Sequence, residues 1–84
     1  MPTRPSQNDP ERVAAWEQRR RQVGGRIREA RVERGLTQEQ LALRSGVTRN
    51  LIIDVEHGSR GLLYERLFDI AEALGIPVAE LLNE

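Results

Sequence analysis

Residues 37–58 read TQEQLALRSGVTRNLIIDVEHG, and this stretch decides the fold because it predicts two short helices joined by a tight turn. Thr37 is placed to cap the first helix, with Gln40 three residues later in the arrangement of a capping box. An apolar stripe then predicts a helix over residues 38–45. Gly46 follows, and glycine adopts at little cost the positive φ that a sharp reversal needs.

The second helix of the stretch is predicted from Thr48 to His57. Thr48 is a suitable N-cap, and Ile52 with Val55 forms an i, i+3 apolar pair that predicts the buried side. The opposite side, which is expected to face outward, carries Arg49, Asn50, Ile53, Asp54 and His57.

The chain before this stretch is predicted to add an arm and a helix. Residues 1–8 are polar and contain prolines, so we expect a flexible arm. Asp9 as N-cap and Pro10 at the first helical position then predict a helical extension over residues 9–22.

A glycine pair, Gly24 and Gly25, follows this extension. Each glycine costs a helix roughly 1 kcal/mol, so the pair predicts a break or a kink rather than a continuation. A second helical segment is expected over residues 26–33, with Gly35 as its C-terminal stop. Further helices are predicted over residues 63–74, which end before a glycine, and over residues 78–82.

Composition limits the class of protein. The chain has 84 residues, 38% of them hydrophobic, and no cysteine, which fits one small domain without disulfides. The amino terminus lacks the apolar core of a signal peptide, and no apolar run is long enough to cross a bilayer. These features predict a cytoplasmic protein and no membrane partner.

The formal net charge is zero, but the charges are unevenly distributed. Twelve arginines stand against eight acidic residues through Arg60, whereas one arginine stands against five acidic residues from there to the end. Every basic residue is arginine, which suits bidentate contacts to phosphate and guanine. A GC-rich genome would bias the codons in the same direction.

Several motifs in order resemble the phage lambda repressor-like and Cro-type helix-turn-helix domain, also called the XRE family. The resemblance implies an all-α, five-helix DNA-binding domain over residues 23–83, here with an extra N-terminal helical extension. The motifs are RIREAR at residues 26–31, GLTQEQLA at 35–42, SGVTR at 45–49, VEHG at 55–58 and IAEALGIPVAELL at 70–82.

The resemblance also implies roles for individual residues. The helix over residues 38–45 would cross the DNA backbone, and the helix over residues 48–57 would enter the major groove. Arg49 would read guanine, Asn50 adenine and Ile53 a thymine methyl group. Phosphate contacts are expected from Gln38, Thr48, His57 and Arg60, and a structural salt bridge between Arg31 and Glu56.

Other kinds of site find little support in the sequence. His57 is the only histidine, so a metal site would need carboxylates to complete it. Asp54 and Glu56 stand two residues apart on a helix and therefore point in different directions. Residues 58–61 lack the lysine of a phosphate-binding loop. We expect no catalytic residue, no metal and no cofactor.

The extension has two interpretations. Val13 and Trp16 form either a packing stripe that docks it on the domain or a contact between the two copies of a homodimer. The run from Arg19 to Arg21 is either solvated or lies on phosphates beside the main helix.

The chain departs from the family where the fourth helix begins. Relatives often place Pro and Ser or Thr there, whereas this chain has Leu62, Leu63 and Tyr64. With Leu51 and Ile53 these residues could form an exposed apolar patch, which is typical of protein partners. Two functions therefore stand: a homodimeric transcriptional regulator, by default a repressor, and a protein-interaction module such as an antitoxin or a partner of the transcription machinery.

Overall fold

Five α-helices follow one another through residues 9–83, the part of the chain that the computed structural model describes. The predicted arm of residues 1–8 lies outside this part. Within it no strand occurs, which confirms the all-α class, and no helix combines the length and apolarity that a membrane span requires. The helices are α1 (Pro10–Glu33), α2 (Gln38–Ser45), α3 (Arg49–His57), α4 (Tyr64–Leu74) and α5 (Val78–Leu82).

Helix α1 runs without interruption through Gly24 and Gly25, so the predicted break or kink is wrong. The continuation of α1 is explained by tertiary packing, because Gly24 is buried where α1 crosses α3. A Cβ atom at Gly24 would lie 2.0 Å from the carbonyl oxygen of Val55. The missing side chain therefore permits a close approach of the two helices, and packing outweighs the low helix propensity of glycine.

The predicted caps and turns are confirmed. Asp9 accepts hydrogen bonds from the first amides of α1, and Thr37 forms a complete capping box with Gln40. In that box the Gln40 amide donates to Thr37 Oγ1 over 3.0 Å, and the Thr37 amide donates to Gln40 Oε1 over 2.8 Å. Gly46 ends α2 with φ 74°, the left-handed conformation that the reversal requires.

Each helix contributes one large, fully buried side chain to a single core. The five are Ile27, Leu41, Ile52, Ile70 and Leu81. Val55 is also buried, so both predicted apolar residues of α3 face inward. Because every helix depends on the same cluster, the core fixes the position of α2 and α3 relative to α1.

The first half of α1 is largely exposed. A helix of this length spans about 36 Å, and its buried residues begin only at Gly24. Within residues 9–83, neither Val13 nor Trp16 is among the side chains that pack against the core. Val13 and Trp16 therefore do not pack on the core, since the extension continues α1, and their role stays a prediction.

Candidate nucleic-acid interface

The turn between α2 and α3 is fixed by one buried serine. Ser45 Oγ accepts a hydrogen bond from the Val47 amide over 3.3 Å and lies 3.4 Å from the Ala42 carbonyl oxygen, to which it donates. Val47 itself is 5% exposed. These contacts hold the angle between the two helices, so the outer surface of α3 has a defined orientation.

Helix α3 presents polar side chains along its outer surface. Thr48 caps it by accepting a hydrogen bond from the Leu51 amide over 3.2 Å. Arg49, Asn50 and His57 are exposed, whereas Ile53 is half-buried. The first turn of α3 therefore offers a guanidinium and an amide to solvent, the two groups that make bidentate hydrogen bonds to guanine and adenine.

A three-residue network joins α1, α2 and α3. Arg31 Nε and Nη2 donate to the two carboxylate oxygens of Glu56 over 2.7 and 2.9 Å, and their side chains are 12% and 3% exposed. Gln38 Nε2 donates to Glu56 Oε1 over 3.2 Å. Gln38, which is expected to bind phosphate, is thus held by Glu56, a member of the predicted structural salt bridge.

The charge of Arg31 is secured by the same contacts. Its hydrogen bond to Glu56 raises the pKa of the guanidinium, partial burial lowers it, and the attraction of the carboxylate raises it again, with a net increase. A raised pKa in the folded state means that this stabilisation is present at every pH below the ordinary arginine value. Arg31 is therefore cationic at neutral pH.

Three of the predicted contact residues surround one open cavity of about 310 Å³. Gln38, Ile53 and His57 line it together with the buried pair, and Arg28 of α1 completes its wall. The sequence prediction missed Arg28. Its position three residues before Arg31 places both on one side of α1, which was the available signal.

The remaining predicted residues lie in two other places. Thr48 and Arg49 line a second open cavity, between α2 and the start of α3, and Asn50 is exposed at the same end of α3. Arg60 lies in the loop after α3, beside Arg19 and Arg20 of α1. The candidate residues therefore occupy three neighbouring regions and do not form one pocket.

The apolar residues at and near the start of α4, where the sequence departs from the family pattern, fall into two groups. Leu51 and Leu62 are half-buried and pack against the core, so they are mainly structural. Leu63 is 70% exposed and continues into Tyr64 and Phe68, which are 71% and 54% exposed. The rings of these two aromatic residues stack edge to face, with centroids 6.5 Å apart. The exposed apolar surface thus belongs to α4 and not to α3.

The helix-turn-helix family model matches residues 27–81, which include the turn and all five helices except the first part of α1 and the last residue of α5. The chain belongs to the helix-turn-helix family. This confirms the resemblance drawn from the sequence motifs.

Two relatives and one solved structure illustrate the match. An uncharacterized HTH-type transcriptional regulator of Sinorhizobium fredii is 36% identical over 64 residues, which cover 76% of this chain and 83% of the relative. The transcriptional repressor of the cryptic phage CTXphi of Vibrio cholerae is 37% identical over 70% of this chain, which spans 53% of that repressor. The crystal structure of a restriction-modification controller protein from Aeromonas hydrophila superposes with a TM-score of 0.72 at 39% identity, over 74% of this chain and 94% of the controller.

The two relatives are named as transcriptional regulators, and the solved structure is named as a controller protein. As a member of the helix-turn-helix family, this chain is a transcriptional regulator, which confirms the sequence prediction.

Proposed function

We propose that this protein is a cytoplasmic, sequence-specific repressor that inserts α3 into the major groove of DNA. The proposal rests on one observation: Arg49 and Asn50 are exposed on α3, and the opposite side of this helix is held against the core. The buried residues of α3 pack on the core, and Glu56 anchors its last turn. A rigid helix with free polar side chains is the geometry that base recognition requires.

Base contacts are assigned to the outer side of α3. Arg49 donates two hydrogen bonds to the O6 and N7 atoms of guanine, and Asn50 pairs with N6 and N7 of adenine. Ile53 contacts a thymine methyl group. These three residues give sequence preference.

Phosphate contacts are assigned to the ends of the two helices and the following loop. Gln38 stands at the first position of α2, where free amides and the helix dipole favour an anion. Its hydrogen bond to Glu56 sets the direction of its side chain. Thr48, His57 and Arg60 hold further phosphates and fix the register without reading sequence.

The regulator acts as a homodimer on a pseudo-palindrome, with half-sites about 34 Å apart. Val13 and Trp16 are assigned to the dimer contact because they lie in the part of α1 that extends away from the core. The side chain of Trp16 is 39% exposed there. Sedimentation equilibrium of Trp16→Ala tests this contact, with Phe68→Ala as a second aromatic truncation. Loss of self-association in the Trp16 variant alone is expected, and loss in the Phe68 variant alone would move the contact to α4.

A protein-interaction function is the second candidate, and the exposed strip of Leu63, Tyr64 and Phe68 favours it. Such a strip at the surface of a small domain is typical of a protein-binding surface. The same fold would then serve as an antitoxin or as a partner of the transcription machinery.

Selection of genomic DNA fragments by the purified protein tests the two functions. Wild-type protein should enrich one palindromic motif, and the Arg49→Ala/Asn50→Ala variant should lose it while keeping its melting temperature. Enrichment should also fall steeply as salt rises, because phosphate binding releases counterions. An absence of enrichment even at low salt would contradict the repressor proposal and favour a protein partner.

A further inference from the structure

An arginine-rich surface lies beside the loop that follows α3, at one end of the proposed DNA-binding surface. It consists of Arg19, Arg20 and Arg21 of α1 together with Arg60, and we call it the arginine seam. The three α1 residues precede the first residue of the family match, so the family model assigns them no role.

The position of the seam is fixed by close backbone contact. Gly58 ends α3 with φ 80°, and a Cβ atom there would lie 2.6 Å from Cγ and 3.0 Å from Cα of Arg21. A Cβ atom at Gly61 would lie 3.7 Å from Cδ of Arg20. Residues 58–61 therefore pack directly on the arginine run, and the run cannot move independently of the end of α3.

The stems of the seam cover apolar surface. Arg19, Arg20 and Arg60 line a mostly apolar cavity of about 250 Å³, whose other walls include Val23 and Leu62. Arginine commonly places its aliphatic stem on such a surface and keeps its charged end in water. The side chains of Arg19, Arg20 and Arg60 are thus brought together by packing, and Arg20 Nε is buried without a hydrogen-bond partner within the described residues.

Their charges are not neutralised within the described residues. The ion pairs there join Arg31 with Glu56, Arg34 with Glu33, and Arg66 with Asp69, and none includes the seam. No side chain of the seam takes part in a hydrogen bond within residues 9–83 either. The cations of Arg19, Arg20 and Arg60, which line one cavity, repel one another, and an anionic partner would relieve this repulsion.

We propose that the arginine seam binds the DNA backbone beyond the half-site that α3 reads, so that the first half of α1 lengthens the footprint. The inference rests on the proposed function, because Arg60 connects the seam to the phosphate contacts already assigned. A polyanion is the partner that fits, since its closely spaced phosphates accept bidentate hydrogen bonds from neighbouring guanidinium groups such as those of Arg20 and Arg60. The seam adds affinity to every sequence and reads no base.

The variant Arg20→Gln/Arg21→Gln tests the seam, because glutamine keeps the Cα, Cβ and Cγ atoms that pack on Gly58 and places an uncharged amide carbon where Arg20 Cδ faces Gly61. The matched control Arg34→Gln/Arg66→Gln also removes two charges, at exposed positions outside the seam and outside α1. Binding to the selected operator and to random DNA is measured between about 50 and 200 mM salt. Ethylation interference identifies the phosphates that each protein contacts.

The seam variant should bind both DNAs about tenfold more weakly, and its plot of log affinity against log salt should be shallower by about two units. It should also lose interference at phosphates flanking the half-site, whereas the control should keep both slope and footprint. An unchanged slope and footprint in the seam variant, with wild-type protein binding normally, would overturn the seam alone. A fall in melting temperature without a change in slope would show that the arginines only stabilise the end of α3. Failure of the wild-type protein to bind any DNA would overturn the proposed function and the seam together.

Discussion

Helices α3 and α4 follow each other in the chain and are held in different ways. Thr48 caps α3 through a side-chain hydrogen bond. The backbone of α3 at Val55 packs directly on Gly24, and Arg31 holds the last turn of α3 through Glu56. Helix α4 begins at Tyr64, its N-cap Leu63 provides no side-chain hydrogen bond, and its first two turns expose aromatic rings. The difference indicates that specific polar contacts position α3, which is the helix proposed to read bases, whereas the start of α4 has no such contact.

Removing the anchor of α3 should have the largest effect. Arg31→Met leaves the Glu56 carboxylate buried without its cation, which should lower the free energy of unfolding by about 3 to 5 kcal/mol. Urea unfolding followed by circular dichroism measures this. The double variant Arg31→Met/Glu56→Leu removes both charges and should recover most of the loss, because an apolar pair of similar size needs no counter-charge. If the double variant is as unstable as the single one, the loss comes from packing and not from the unpaired charge.

Filling the place where α1 meets α3 should have the next largest effect. Gly24→Ala puts a methyl group against the Val55 carbonyl oxygen, which forces the helices apart at a cost of about 2 to 3 kcal/mol. Gly25→Ala is the matched control because a Cβ atom there meets nothing within 4 Å. Since alanine favours the helix, this control should gain about 0.5 to 1 kcal/mol. Thermal unfolding of the two variants should therefore shift in opposite directions, and equal shifts would contradict the close-approach explanation.

The glycine pair shows where sequence reasoning was limited. The capping box at Thr37, the reversal at Gly46 and the cap at Thr48 depend on residues close in sequence, and all were predicted. The continuation of α1 depends on Val55, which is 31 residues from Gly24, and helix propensity carries no information about that contact. The hydrogen bond from Gln38 to Glu56 and the packing of Arg21 on Gly58 were missed for the same reason.

Changing the exposed side of α3 should alter recognition without altering stability. Arg49→Ala should cost about 1 to 3 kcal/mol of discrimination at one base position, because a bidentate contact to guanine is lost. Gln38→Ala in α2 should weaken binding to all sequences alike, since it removes a phosphate contact, and it should also lower stability, since it removes the hydrogen bond to Glu56. Competition binding against operators with single base changes distinguishes the two. Equal losses on operator and random DNA for Arg49→Ala would remove Arg49 from base recognition.

Supplying the cap that α4 lacks should have the smallest effect and the opposite sign. Leu63 is the N-cap of α4 and is mostly exposed, so Leu63→Ser should add a hydrogen bond to the first turn and remove little buried apolar area. The expected gain is about 0.5 to 1 kcal/mol in the free energy of unfolding. Leu63→Ala shortens the side chain without providing a cap, and it should give no such gain. If Leu63 is retained because it contacts DNA or a protein partner, Leu63→Ser should be more stable and yet bind more weakly. A more stable variant with unchanged binding would mean that the missing cap at α4 has no functional counterpart, and the contrast with α3 would then concern stability alone.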